Sequence, residues 1–459
     1  MSRTFTAILI LVILGSLQGQ QPPVPPQVAI VPIHASEGPG ATFQFTKVDD
    51  QLLAEANAVD ALYEMKGLVL HDPDLQAFID NVGRRVLGGR PVPEKVAYRF
   101  LVLRTTWVDA FARPNGSVYV TTGLLALLEN EAQLAGILGH ETAHVYERHS
   151  YLENRSIRKK TVVSEIIAAA AACIPSGYGG LLATVGVDKV NTVLLEESVY
   201  GYSREMESQA DDDGLAAMTV AGYNPHAMAV AFELLDQDST LEYEPGRTFY
   251  HDHPNFKRRQ EKALAFADAH TPANARIGAK MDYLKAVAPV IASDINAEIE
   301  GRRLRTAVDR ATRLVDAFPR DPQYQTLLGS SDRALGAKTP VPTSDEGTQD
   351  GEFRQRNRVL NMTEEEEQKS LLKTPEGQAM LKENQAKAEK AFLAAIDCDP
   401  QYALAYRELG FLYQDEARFT DAATNYRQYL QLVANTSLDR LRIARRLAEV
   451  EKLQASPAH

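Results

Sequence analysis

Leu134-Ala135-Gly136-Ile137-Leu138-Gly139-His140-Glu141-Thr142-Ala143-His144 decides how this chain is read. Apolar and small residues fill every position before the first histidine, which predicts a helix buried against the body of a domain. Positions four apart share a helix face, so both imidazoles of this His-Glu-x-x-His pattern reach one metal ion. Glu141 follows the first histidine, where a carboxylate can take a proton from an attacking water. A catalytic zinc needs a third protein ligand and keeps one position open. Position 150 is Ser, so the longer pattern with another histidine six residues after His144 is absent. The best source is Ser203-Arg204-Glu205-Met206-Glu207-Ser208-Gln209-Ala210-Asp211-Asp212-Asp213-Gly214, on a helix expected from Glu196 to Val220. There Glu207 and Asp211 lie four apart on one face, so Glu207 can ligate while Asp211 orients a ligand histidine.

Composition narrows the alternatives. The chain has 459 residues, 44% hydrophobic and 24% charged, which is globular composition for two to four domains and excludes a disordered or collagen-like chain. Its net charge is −12, from 61 acids against 49 bases, with no basic block, so nucleic acid is excluded as the expected partner. Two cysteines, Cys173 and Cys398, build neither a disulfide framework nor a thiolate metal site. Any metal must be held by His, Asp or Glu.

Arg3, the apolar run Ala7–Leu14 and the small residues Gly15, Ser16 and Gly19 read as a secretory leader over 1–19, with an uncleaved anchor as the competing reading because of Leu17. A Pro- and Gln-rich linker follows over 20–44. Helical spacing starts near Phe45 and again after Asp72-Pro73. Strands are expected over Tyr98–Leu103 and, past the turn Pro114-Asn115-Gly116, over Ser117–Thr121. A helix is expected over Glu129–His149, with His149 a surface or helix-end residue. The apolar stretch Thr161–Val187 is broken by Glu165 and Pro175, so it is read as a buried or surface-covering helix and no membrane span is expected beyond the leader.

In 280–459 the pattern changes to paired amphipathic helices, at Ala388–Pro400 and Ala403–Leu432, with a weaker echo at Ala307–Leu335. These resemble tetratricopeptide repeats. A polar stretch at about 338–368 between the two blocks, carrying the acidic run Glu364–Glu367, is read as a flexible insertion or a helix with a solvated face. The helices of 280–459 are expected to pack on the preceding domain, because so few repeats do not stand alone.

His-Glu-x-x-His followed by Ser-Arg-x-x-Glu-x-x-Ala-Asp-x-x-Gly resembles the HtpX and CAAX-prenyl-protease family of gluzincin zinc metallopeptidases. The likeness includes its soluble periplasmic branch, which joins the protease to tetratricopeptide repeats. Ala110-Phe111-Ala112-Arg113-Pro114-Asn115-Gly116 and the following Val118–Leu125 are similar to the family's Asn-Ala-Phe-Ala strand, with Asp109 and Asn115 as departures. His253-Pro254 with Arg259 is similar to its downstream His-Pro element. The resemblance covers about 45–275 and implies an α+β zincin-type domain, mainly helical with a small sheet, ahead of the helical repeat region. It implies one zinc per chain on His140, His144 and Glu207, Glu141 as base and Asp211 behind a ligand. It also implies that Ser117, Val118, Tyr119, Val120 and Thr121 form the sheet edge on which an extended substrate pairs. His253 would occupy the open zinc position, with His251 as the alternative, and Arg204, Arg259 and His253 are the candidate oxyanion donors. The implied function is an exported, periplasmic zinc endopeptidase for unfolded or misassembled envelope proteins, its repeats docking clients or assembly machinery. A zinc-holding chaperone or adaptor that rarely cleaves is the alternative.

Overall fold

A computed structural model describes residues 45–90, 92, 95–156, 202–241, 255–301, 303–337, 374–434 and 437–455. The leader, the linker, the Thr161–Val187 stretch and the polar insertion lie outside the described residues. Helix α1 (Lys47–Met65) starts with a capping box, in which the Thr46 side chain accepts from the Asp49 amide and the Asp49 carboxylate accepts from the Thr46 amide. Helix α2 (Pro73–Leu87) has Asp72 as its cap, Pro73 in its first turn and left-handed Gly88 at its end. Strands β1 (Arg99–Leu103), β2 (Ala110–Ala112) and β3 (Ser117–Thr121) form one sheet in the order β1-β3-β2. β3 is parallel to β1 in the register Arg99↔Ser117 and antiparallel to β2 in the register Ala110↔Val120.

That order corrects one expectation. Ser117, Val118, Tyr119, Val120 and Thr121 are the central strand, and all five residues are buried. The edge positions belong to β1 and β2. Leu103 of β1 bridges Val69, while β2 lies beside the His-Glu-x-x-His helix. The reason is local. The tight turn at Gly116, with φ +94 and no room for a Cβ beside the Ala97 carbonyl, folds β3 back between its neighbours. Asp60 of α1 then holds it there, accepting from Ser117 Oγ at 2.6 Å, Tyr119 Oη at 2.7 Å and Asn115 Nδ2 at 2.6 Å. Asn115, a departure from the family pattern, is thus part of this anchor.

Helix α3 (Thr122–Leu127) follows β3 directly, and α4 (Glu131–Tyr146), α5 (His149–Ser156), α6 (Arg204–Val220), α7 (His226–Leu241) and α8 (Phe256–His270) complete the domain. One apolar core runs from α2 through the sheet, α4, α6 and α7 into α9 (Lys280–Glu300), α10 (Leu304–Ala317) and α11 (Pro322–Ala337). Arg313 of α10 donates to the Ala126 and Leu128 carbonyls at the end of α3, both at 2.6 Å. The fully buried Glu298 pairs with Arg303 and, at 2.5 Å, with Arg310. Helices α9 and α10 therefore pack on the domain before them, and α11 joins the same core. Limited proteolysis should release no stable 280–459 fragment, since it would expose Tyr283, Leu284, Val287, Ile291 and Ile295, all buried, at about 1.5–3 kcal/mol each. A protease-resistant fragment with that boundary would contradict this packing.

Helices α12 (Pro375–Cys398), α13 (Ala403–Asp415), α14 (Phe419–Leu432) and α15 (Leu438–Ala455) share a second core. Two helix pairs repeat one contact. Gly329 of α11 sits against the Phe392 ring of α12, and Gly410 of α13 against the Tyr426 ring of α14, each too close for a Cβ. Since α11 pairs with α12 in this way, Ala337 ends and Pro375 begins two members of one helix pair. Asp332 of α11 is 5% exposed, and burial pushes its carboxyl up to about 6, against the lowering effect of Lys387. Its folded form holds a proton more tightly than the unfolded chain, so its contribution is complete in acid and lost as pH rises from 4 through 6. Asp332→Asn is expected to stabilise the protein at pH 7 by about 1–2 kcal/mol, after allowing for solvent access, and by nothing at pH 4. Melting temperatures at the two pH values check this.

Candidate metal centre

Helix α4 is capped by Asn130, whose Oδ1 accepts from the Gln133 amide at 3.0 Å, and every residue from Ala132 to Val145 is buried. Helix α6 is capped by Ser203. The two helices meet at a pair of glycines. A Cβ on Gly214 would lie 2.8 Å from the His140 nitrogen, and one on Gly139 would lie 2.9 Å from the Gly214 carbonyl oxygen. This backbone approach lets carboxylates of α6 reach histidines of α4.

His140 Nε2 and His144 Nε2 are 3.0 Å apart. Glu207 places Oε1 3.3 Å from His144 Nε2 and Oε2 3.6 Å from His140 Nε2. One donor atom from each of the three lies within 4.8 Å of the others. A tetrahedral zinc with bonds of about 2.0–2.1 Å separates neighbouring donors by roughly 3.3 Å, so the donor set fits that ion. Burial first, and then the neighbouring Arg259 guanidinium, push His140 down to about 3; its ring is therefore neutral, the form that ligates metals.

Asp211 Oδ1 lies 3.0 Å from His140 Nδ1, and Arg259 grips the same carboxylate through Nε to Oδ2 at 3.0 Å and Nη2 to Oδ1 at 2.7 Å. Burial alone would raise the Asp211 carboxyl, but Arg259 and His140 outweigh it and hold it well below the usual carboxylate range. Asp211 thus accepts the Nδ1 proton of His140 and leaves Nε2 to face the cluster. Arg259 also places Nη1 3.7 Å from Glu207 Oε2, and the Phe232 ring lies 4.4 Å beneath its guanidinium.

Glu141 is buried immediately after the first histidine. Several expectations change. Arg259, read as a candidate oxyanion donor, is committed to Asp211 and works as a clamp. Arg204 is exposed at the first position of α6 and stands outside the buried cluster. His149 is a helix-end residue, the first of α5, but not a surface one; it is 1% exposed, with Nδ1 2.9 Å from His144 Nδ1. The helix expected over Glu129–His149 ends at Tyr146, because Arg148 is left-handed with φ 59. His251 and His253 lie outside the described residues. Sequence reasoning also missed Tyr202, whose ring stacks on His144 with centroids 4.0 Å apart, and the Gly139–Gly214 contact.

Residues 71–267 match the profile of peptidase family M48. Over 188 residues the chain is 27% identical to the putative beta-barrel assembly-enhancing protease of Vibrio cholerae, a stretch covering 40% of this chain and 38% of that protein. It is 28% identical over 187 residues to the mitochondrial metalloendopeptidase OMA1 of Schizosaccharomyces pombe, covering 40% and 51%. It is 25% identical over 175 residues to the beta-barrel assembly-enhancing protease of Escherichia coli K12, covering 37% and 34%. The chain thus spans between 34% and 51% of the length of these relatives. Profile, relatives and the His140–His144–Glu207 donor set agree: residues 71–267 are a metallopeptidase domain of peptidase family M48.

Proposed function

We propose that the protein is a zinc endopeptidase acting on unfolded or misassembled proteins of a bacterial envelope. The observation that carries the hydrolytic reading is the convergence of His140, His144 and Glu207 beside the buried Glu141. His140, His144 and Glu207 would hold a zinc ion, which would supply a Lewis acid for the scissile carbonyl and acidify the attacking water. Glu141 would take a proton from the attacking water as the water oxygen bonds to the carbonyl carbon, then give it to the departing amine nitrogen as the C–N bond breaks. Asp211, held by Arg259, keeps the Nδ1 proton of His140 in place throughout. An extended substrate pairs its backbone with the edge strand β2, Ala110–Ala112, and main-chain pairing of this kind tolerates many side chains. The names of the Vibrio cholerae and Escherichia coli relatives support action in beta-barrel assembly, and the leader read over residues 1–19 supports export to the periplasm. The helix pairs from α10 onward, read as tetratricopeptide repeats, offer a surface for clients or for an assembly machine.

Metal analysis of the full chain beside casein cleavage tests this. One zinc per chain is expected, with cleavage lost on chelation and restored by zinc. Stoichiometric zinc without any cleavage would favour the chaperone or adaptor instead.

A further inference from the structure

Metal-ligating histidines need a partner on their second ring nitrogen, which sets the tautomer and the ring plane. For His140 that partner is Asp211. His144 has a different kind of partner: its Nδ1 lies 2.9 Å from Nδ1 of His149, whose Nε2 lies 3.3 Å from Gln209 Oε1. We infer that His149 is the positioning residue for the second metal ligand, a neutral imidazole that accepts the Nδ1 proton of His144 and fixes its Nε2 toward the metal. The inference rests on the reading of His140, His144 and Glu207 as ligands.

The proton count leaves one arrangement. Two ring nitrogens at 2.9 Å share one proton. A His144 that ligates through Nε2 carries its proton on Nδ1, so it is the donor. His149 Nδ1 then accepts, and the His149 proton sits on Nε2, aimed at the Gln209 carbonyl oxygen. Gln209 stands two residues after Glu207 on α6, so the chain His144–His149–Gln209 links the two helices that supply the ligands.

The backbone is bent to make this contact. In a continuous helix, residues five apart point about 140° away from each other, so His149 could not touch His144. The left-handed Arg148 ends α4 after Tyr146 and starts α5 at His149, a conformation unfavourable for a residue with a Cβ. The Arg148 amide donates to the Val145 carbonyl at 3.1 Å, and the Arg148 carbonyl accepts from Tyr151 at 3.0 Å. The break swings the buried His149 back across the helix end onto the ligand. Tyr202 covers the other side, its ring stacked on His144 and its hydroxyl 2.7 Å from Ser150 Oγ.

The test uses the full chain as wild type, His149→Phe and His149→Asn, with zinc affinity measured by competition against a chromophoric chelator. Phe keeps a ring but has no acceptor, whereas Asn puts an amide oxygen near the Nδ1 position. His149→Phe is expected to weaken zinc binding by about 10–100-fold, and His149→Asn to recover most of that loss. Equal affinity in all three, or an equal loss in both variants, overturns the inference. In ¹⁵N-histidine spectra of the zinc-loaded wild type, which do not depend on either variant folding, His149 should carry its proton on Nε2 and His144 on Nδ1. The opposite tautomers, or a doubly protonated His149, overturn it as well. A folded wild type that binds no zinc would bring down the metal reading itself; zinc binding unaffected by His149→Phe would bring down this inference alone.

Discussion

Glu141→Gln is expected to lower casein cleavage by about 10²–10⁴-fold while zinc stays at one per chain. The two readouts separate because Glu141 is beside the ligand set and not in it. His140, His144 and Glu207 supply the converging donors, and Gln keeps the shape of Glu141 inside a helix where every residue from Ala132 to Val145 is buried. What Gln lacks is a basic oxygen to take the water's proton. Binding of an unfolded client should survive, since neither β2 nor the C-terminal helix pairs are altered. A Glu141→Gln protein that cleaves like wild type would remove Glu141 from the chemistry; one that loses its zinc would show that Glu141 also shapes the site.

Gly214→Val should cost the protein its metal. Helix propensity alone favours replacing this glycine, by about 0.5–1 kcal/mol for alanine. Packing argues the other way and wins. The first carbon of any side chain at 214 would lie 2.8 Å from the His140 nitrogen and 3.1 Å from both the Gly139 carbonyl carbon and the His140 Cα. These are backbone atoms of a buried helix and cannot rotate aside, so α6 must lift off α4. Glu207 and Asp211 ride on α6 and move with it, away from His144 and His140. Zinc affinity should fall by about 100-fold or more, with about 1–3 kcal/mol of stability lost to overpacking. Chelator competition and urea unfolding measure the two effects. Zinc binding at wild-type strength would mean that the glycine pair does not set the distance between the helices.

Much of this was legible in the order of residues. Local patterns determined the elements: the cap at Asp72, the turn at Gly116, the apolar run that buries α4; the start of α6 after Ser203, inside the helix expected from Glu196, came from the tertiary structure. A four-residue spacing on a helix made His140 and His144 neighbours whatever else the chain does, and the same spacing put Glu207 and Asp211 on one face of α6. The small number of later helices pointed to support from the domain before them; α9–α11 take it, while α12–α15 share a core of their own. Other features depend on contacts between segments far apart in the chain, and spacing does not encode these. Strand order is one. Ser117–Thr121 alternates like any strand, and only the closure of β2 and β1 on either side, with Asp60 behind, makes it central and gives the edge to Ala110–Ala112. Arg259 is another. As a residue in a helix it could serve substrate or structure, and the grip on Asp211 from 48 positions away decides for structure. His149 shows the limit most clearly. Helical periodicity turns it away from His144, and the left-handed backbone at Arg148, which the surrounding packing holds in place, brings it back.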